Sequence, residues 1–129
     1  MHVLLINGSP HEKGCTYTAL SLVAGELNAA GITTEILNVG TKPVGGCIGC
    51  GGCAKGNGCV FGGVVNEAIE KARTADAFVF GTPVHYASAS GNMTSFLDRL
   101  AYAGGKYLAY KPAAICASAR RAGTTSALD

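Results

Sequence analysis

The chain has 129 residues, enough for one domain with a real core, and a composition of 48% hydrophobic and 14% charged residues is that of a globular protein. A formal charge of only +2, with no basic run, removes the electrostatic basis for nucleic-acid binding. No apolar stretch reaches the roughly 20 residues needed to cross a bilayer, so neither nucleic acid nor membrane is an expected partner.

Val3 to Ile6 is a short apolar run, the pattern of a strand covered on both faces. It passes directly into a glycine-containing loop, Asn7 to Gly14, with no basic leader or small-residue cleavage site, which reads as a cytoplasmic protein. Thr16 to Ala30 has helical spacing, with Leu20, Val23, Ala24 and Leu27 on one side and Gly31 at the end. Thr33 to Val39 is the second strand.

Residues 40–63 have no periodicity, are dense in glycine and hold four of the six cysteines. An aperiodic loop of this length inside a compact domain points to function. Val64 to Thr74 is a helix with Val65, Ala68, Ile69 and Ala72 as its stripe, and Ala77 to Phe80 is the third strand. A loop from Thr82 to Ser90 leads to a helix from Gly91 to Ala103 carrying Met93, Phe96, Leu97 and Leu100. Ala113 to Ala117 is the fourth strand, and the Ser118–Gly123 loop opens a last helix. Alternation of this kind gives an α/β fold, a doubly wound parallel sheet in one domain spanning 1–129, with the 40–63 loop inserted in it.

The chemistry lies in three segments. The first loop ends beside a helix start, where unpaired N–H groups and the positive end of the dipole suit a phosphate; Ser9, Thr16 and Thr18 add hydroxyls. The competing reading is an ordinary strand-to-helix turn with Thr16 as its cap. Neither G-x-x-x-x-G-K-[ST] nor G-x-G-x-x-G opens the first helix, which disfavours a P-loop or Rossmann dinucleotide site. The loop after strand three also leaves a carboxyl end of the sheet, where ligands collect, and His85 and Tyr86 offer flat surfaces for an aromatic ring. The third segment, Cys47-x2-Cys50-x2-Cys53-x5-Cys59, fits an iron–sulfur centre better than a structural zinc, whose C-x2-C pairs are separated by more chain. Cys15 and Cys116 read as small packed residues. Asp98–Arg99 reads as an exposed or locally paired charge, and Arg120 and Arg121 as a solvated loop pair or a phosphate contact.

Taken together, N-G-S-P…G-C-T-Y-T after strand one and G-T-P-V-H-Y…S-G-N-M…F-L-D-R after strand three resemble the NADPH-dependent FMN reductase family of the flavodoxin-like fold. The resemblance runs along the whole chain in order and departs from the family at His11 and Cys15. It implies an FMN whose phosphate lies among Ser9, Cys15, Thr16 and Thr18. Pro83, Val84, His85 and Tyr86 would edge the isoalloxazine, with Ser118 to Gly123 closing the far side. It also implies NAD(P)H as electron donor, a small-molecule or protein electron acceptor, and a homodimer or homotetramer. The usual five strands of that fold would put one strand and most of a helix beyond Asp129. The cysteine loop resembles that of the iron–sulfur flavoprotein branch, implying a 4Fe-4S cluster on Cys47, Cys50, Cys53 and Cys59. No side chain is implied as nucleophile. The alternative function is a non-enzymatic flavodoxin-type electron carrier, which the slightly basic charge argues against. A zinc-stabilised module without flavin would require the two hydroxyl-rich loops to be coincidence.

Overall fold

A computed structural model describes all residues, 1–129. Four parallel strands form the sheet: β1 (His2–Asn7), β2 (Thr33–Asn38), β3 (Ala77–His85) and β5 (Ala113–Ser118), in the spatial order β2-β1-β3-β5. A two-residue strand, β4 (Ser88–Ala89), pairs antiparallel with the end of β3. The helices are α1 (Cys15–Ala29), α2 (Val64–Thr74), α3 (Gly91–Leu108) and the short α4 (Thr124–Leu128).

The sheet is double-sided because side chains alternate along each strand. On β1, Leu4 and Ile6 join Phe78, Val65, Ile69, Met93, Phe96 and Leu100 in the larger core under α2 and α3. Val3 and Leu5 face the other way and pack with Val79, Leu20 and Ala24 under α1. Every α1 residue buried there falls one turn from the next: Thr16, Leu20 and Ala24. Val23, expected on the inner side, stays 36% exposed.

Two expectations change. The segment from Thr82 to Ser90 is not a free loop: β3 continues to His85 and turns back through Tyr86 and Ala87 onto β4. Both turn residues have positive φ, 49° and 60°, the two-residue geometry whose twist matches a hairpin. Helix α3 runs past Gly104–Gly105 to Leu108. Gly104 is buried, and a Cβ there would lie 2.8 Å from Cγ1 of Ile69, so the glycine serves the close crossing of α2 and α3.

No helix is long and apolar enough to cross a membrane.

Candidate functional site

The carboxyl ends of β1, β3 and β5 meet at one edge of the sheet. Around them lies a concavity of about 340 Å³, lined by Ser9, His11, Gly14, Cys15, Thr16, Pro83, Ser118, Ala119 and Arg120. Asn7, fully buried, braces the first loop from within: its Oδ1 accepts from Ser9 N–H (3.1 Å), and its Nδ2 donates to Asn38 Oδ1 (2.9 Å) and Glu12 O (3.3 Å). Ser9 Oγ then accepts from His11 N–H at 3.1 Å, which tightens the turn. The first loop also rests on the backbone of Gly40. A Cβ at that position would stand 2.3 Å from Ser9 O, so only glycine fits.

Thr16 is not the cap of α1. Gly14 holds the cap position without a side-chain bond, and Thr16 lies in the first turn, buried. Its Oγ1 is 2.8 Å from Ser118 Oγ, joining the loops after β1 and β5. The first intrahelical bond of α1 runs from Thr18 N–H to Gly14 O (3.0 Å), so the N–H groups of Cys15, Thr16 and Tyr17 precede the helical ladder. Cys15 is exposed at the rim. The Thr18 hydroxyl turns back to Gly14 O at 3.2 Å, away from the concavity.

The structure therefore brings Ser9, Cys15, Thr16, Pro83 and Ser118 together, with Arg120 added and Arg121 outside. His85 and Tyr86 sit at the exposed hairpin tip instead. Val84 and Gly123 lie under that tip; a Cβ on Gly123 would meet Val84 Cγ1 at 3.0 Å and Ala87 Cα at 2.9 Å. Ser126 Oγ donates to Ala87 O (2.7 Å) and ties the hairpin to α4.

The cysteine loop forms a second concavity, about 140 Å³, against the middle of α3. Cys47, Cys50, Cys53 and Cys59 all line it, with Ile48, Val60, Phe61, Arg99 and Tyr102. All six cysteines are free thiols. As they stand, no three Cys, His, Asp or Glu side chains gather closely enough to hold one metal ion. The donor set fits an iron–sulfur centre chemically: four soft thiols facing one apolar hollow on a glycine-dense backbone. Asn66 fixes one of them through both backbone groups of Cys59, accepting from its N–H (2.8 Å) and donating to its carbonyl (2.9 Å). Burial pushes the Cys59 thiol up, but the Phe61 backbone N–H and the Arg99 guanidinium outweigh it and hold it below its ordinary value.

Arg99 overturns the surface-charge reading of Asp98–Arg99. It is only 7% exposed. Its Nε donates to Cys59 Sγ (3.3 Å), Nη1 to Gly45 O (3.2 Å) and Nη2 to Gly62 O (2.9 Å). The signal was present in the spacing, since Arg99 falls three residues after Phe96 and so lies on the inward stripe of α3. Asn7, Asn66 and Asn92 gave no such signal, because an amide reads alike as a surface or a clamping residue.

The description "NADPH-dependent FMN reductase" matches residues 1–129 of the chain. An iron-sulfur flavoprotein of Archaeoglobus fulgidus is 33% identical over 99 residues, covering 77% of this chain and 48% of its own length. One from Methanocaldococcus jannaschii is 30% identical over 99 residues, covering 77% and 51%. The chain thus spans about half the length of the curated relatives it matches. In fold it resembles an NADH:FMN oxidoreductase in its apo form (TM-score 0.72, 22% identity, covering 99% of this chain and 63% of that one). It likewise resembles an NAD(P)H:quinone oxidoreductase from Methanothermobacter marburgensis (TM-score 0.73, 21% identity, covering 95% and 65%). The sheet order, the loop geometry and the match along all 129 residues lead to one assignment: the chain belongs to the NADPH-dependent FMN reductase family, in its flavodoxin-like α/β fold.

Proposed function

We propose that the domain binds FMN at the edge formed by β1, β3 and β5, and works as an FMN-dependent oxidoreductase. NAD(P)H would be the donor, with a small molecule or protein as acceptor. The observation that carries this reading is the convergence of three loop ends on one concavity at the start of α1. Bound there, FMN supplies hydride and electron chemistry, and a 4Fe-4S cluster on Cys47, Cys50, Cys53 and Cys59 supplies a one-electron relay.

The chain's own part is positioning. The first-turn N–H groups of α1, the Ser9 hydroxyl and the Thr16–Ser118 hydroxyl pair bind the phosphate, with Arg120 and His11 facing it. Cys15 contributes through its backbone, and Thr18 only by setting the helix start. Pro83 and Val84 line the approach to the ring. His85 and Tyr86, at the hairpin tip, would edge the ring. Asn66 and Arg99 hold the cysteine loop. Exposed Ile48, Val60, Phe61 and Tyr102 around that loop support pairing of the protein with copies of itself, and the reading is of a cytoplasmic enzyme.

Purification of the full-length protein without oxygen tests the proposal. It should carry one FMN per chain, or take it up stoichiometrically, and show about four iron and four sulfide after reconstitution. A folded full-length protein that binds no FMN overturns the flavin assignment. One that binds FMN but holds zinc or no metal overturns the cluster alone.

A further inference from the structure

We infer that Arg99 is the built-in counter-charge of the cysteine site: a positioning residue that holds the loop closed and raises the reduction potential of the anionic centre the loop holds. The inference rests on the cluster reading above and deepens it.

Arg99 is a charged group withdrawn from water on the buried side of α3. Burying a cation without an anion nearby is unfavourable, and native proteins pair such groups. Yet the four ion pairs of this chain use the carboxylates of Asp76, Glu35, Glu67 and Glu70, and none involves Arg99. Its protein partners are two carbonyls and one sulfur, with the Phe61 ring 5.7 Å from the guanidinium carbon. The side chain lines the same hollow as the four thiols. The missing negative charge is therefore the site's own. Four thiolates around an iron–sulfur core carry net negative charge, and a fixed cation beside one ligand sulfur balances it.

Geometry adds a second task. Gly45 O lies just before Cys47, and Gly62 O lies just after Cys59, so one guanidinium grips both ends of the cysteine segment. A lysine would bring the charge but not the planar fork that reaches both carbonyls and the sulfur together. One-electron reduction makes the centre more negative, so an adjacent cation and an N–H···S bond favour the reduced form and raise the potential.

The test compares Arg99→Lys and Arg99→Gln with the wild type in the full-length, reconstituted protein. Bound FMN reports folding, iron and sulfide per chain report loading, and a redox titration followed by EPR reports the potential. The expected order of potentials is wild type, then R99K, then R99Q. R99Q should shift the couple about tenfold toward the oxidised form, about 59 mV for one electron. A wild type that binds FMN without iron defeats the cluster reading, and this inference with it. A loaded wild type beside any loaded variant of unchanged potential overturns this inference alone. Loss of FMN in both variants also overturns it, in favour of a purely structural arginine; if only R99Q loses FMN, the R99K potential decides.

Discussion

The Thr16–Ser118 contact allows a sharp test of the phosphate cradle. Two hydroxyls 2.8 Å apart own two protons, and their mutual bond uses one. The pair therefore has a single O–H left to donate outward, whichever residue carries it. Removing either hydroxyl leaves the other with its own proton free to donate outward, so one outward donor survives a single deletion and none survives both. Thr16→Val keeps the shape of the side chain, whose methyl packs against Gly81, and Ser118→Ala is the smaller deletion. A hydrogen bond to a charged group contributes about 1.5–3 kcal/mol, so the double variant should weaken FMN about 10- to 150-fold. Each single variant should lose much less than the double, giving a coupling energy close to one full hydrogen bond. Riboflavin, which has no phosphate, should bind all four proteins alike. Fluorescence titration with both ligands reads the whole cycle. Equal losses for FMN and riboflavin would refute the phosphate role, and additive losses for FMN would refute the shared donor.

Gly40→Ala should destabilise the domain by about 1–3 kcal/mol and weaken FMN, because its methyl would collide with the Ser9 backbone; urea unfolding beside FMN titration checks both. Cys116 should react with iodoacetamide more slowly at pH 8 than the exposed Cys15, since burial pushes its thiol up; mass spectrometry of timed samples reads the difference. The bond to Glu35 raises Lys71 above its ordinary value, against the opposing effect of burial, and Glu67 adds to the rise. The ammonium contributes stability that is fully present below its unfolded value of 10.5 and is lost as pH rises through the higher folded one. With both partners partly exposed, Lys71→Met should cost at most about 1 kcal/mol at neutral pH, and the gap between the two proteins should close above that value.

The sheet, its order of elements and the two loops at its carboxyl edge were legible in the sequence because each rests on local physics. Apolar runs such as Val3–Ile6 and the stripe of Val65, Ala68, Ile69 and Ala72 carry their own period, and every one of these residues is buried. The hairpin at Tyr86–Ala87 was not legible. Its left-handed turn normally announces itself through Asn or Gly, and here an aromatic residue and an alanine adopt it under tertiary constraint from Gly123 and Ser126. Gly104–Gly105 reads as a helix stop, yet its role depends on Ile69 of another helix. The inward placement of Arg99 could be read from its spacing after Phe96, but its acceptors could not, because they come from residues 37 to 54 positions away, a distance no local pattern encodes.

Both concavities depend on α3, and that dependence explains how they keep a fixed relation. At its start, Ser90 caps the helix by accepting from Met93 N–H (3.3 Å) and donates its hydroxyl proton to Gly8 O (2.7 Å), in the phosphate loop. Two residues along, Asn92 donates to Gly40 O (2.9 Å) and Lys42 O (3.0 Å) and accepts from Val44 N–H (3.0 Å), anchoring the beginning of the cysteine loop. Two turns further, Arg99 seizes Gly45, Cys59 and Gly62. Met93, Phe96 and Leu100, interleaved with these polar residues, are buried against the sheet and lock the helix in place. A rigid helix whose polar side chains grip two loops, while its apolar stripe is sealed in the core, transmits no slack between them. With the proposed flavin and cluster bound in the two concavities, electron transfer would need a constant separation between them rather than contact. The continuous helix α3, reaching from the first loop to the thiols, would supply that separation with the same residues that build the core.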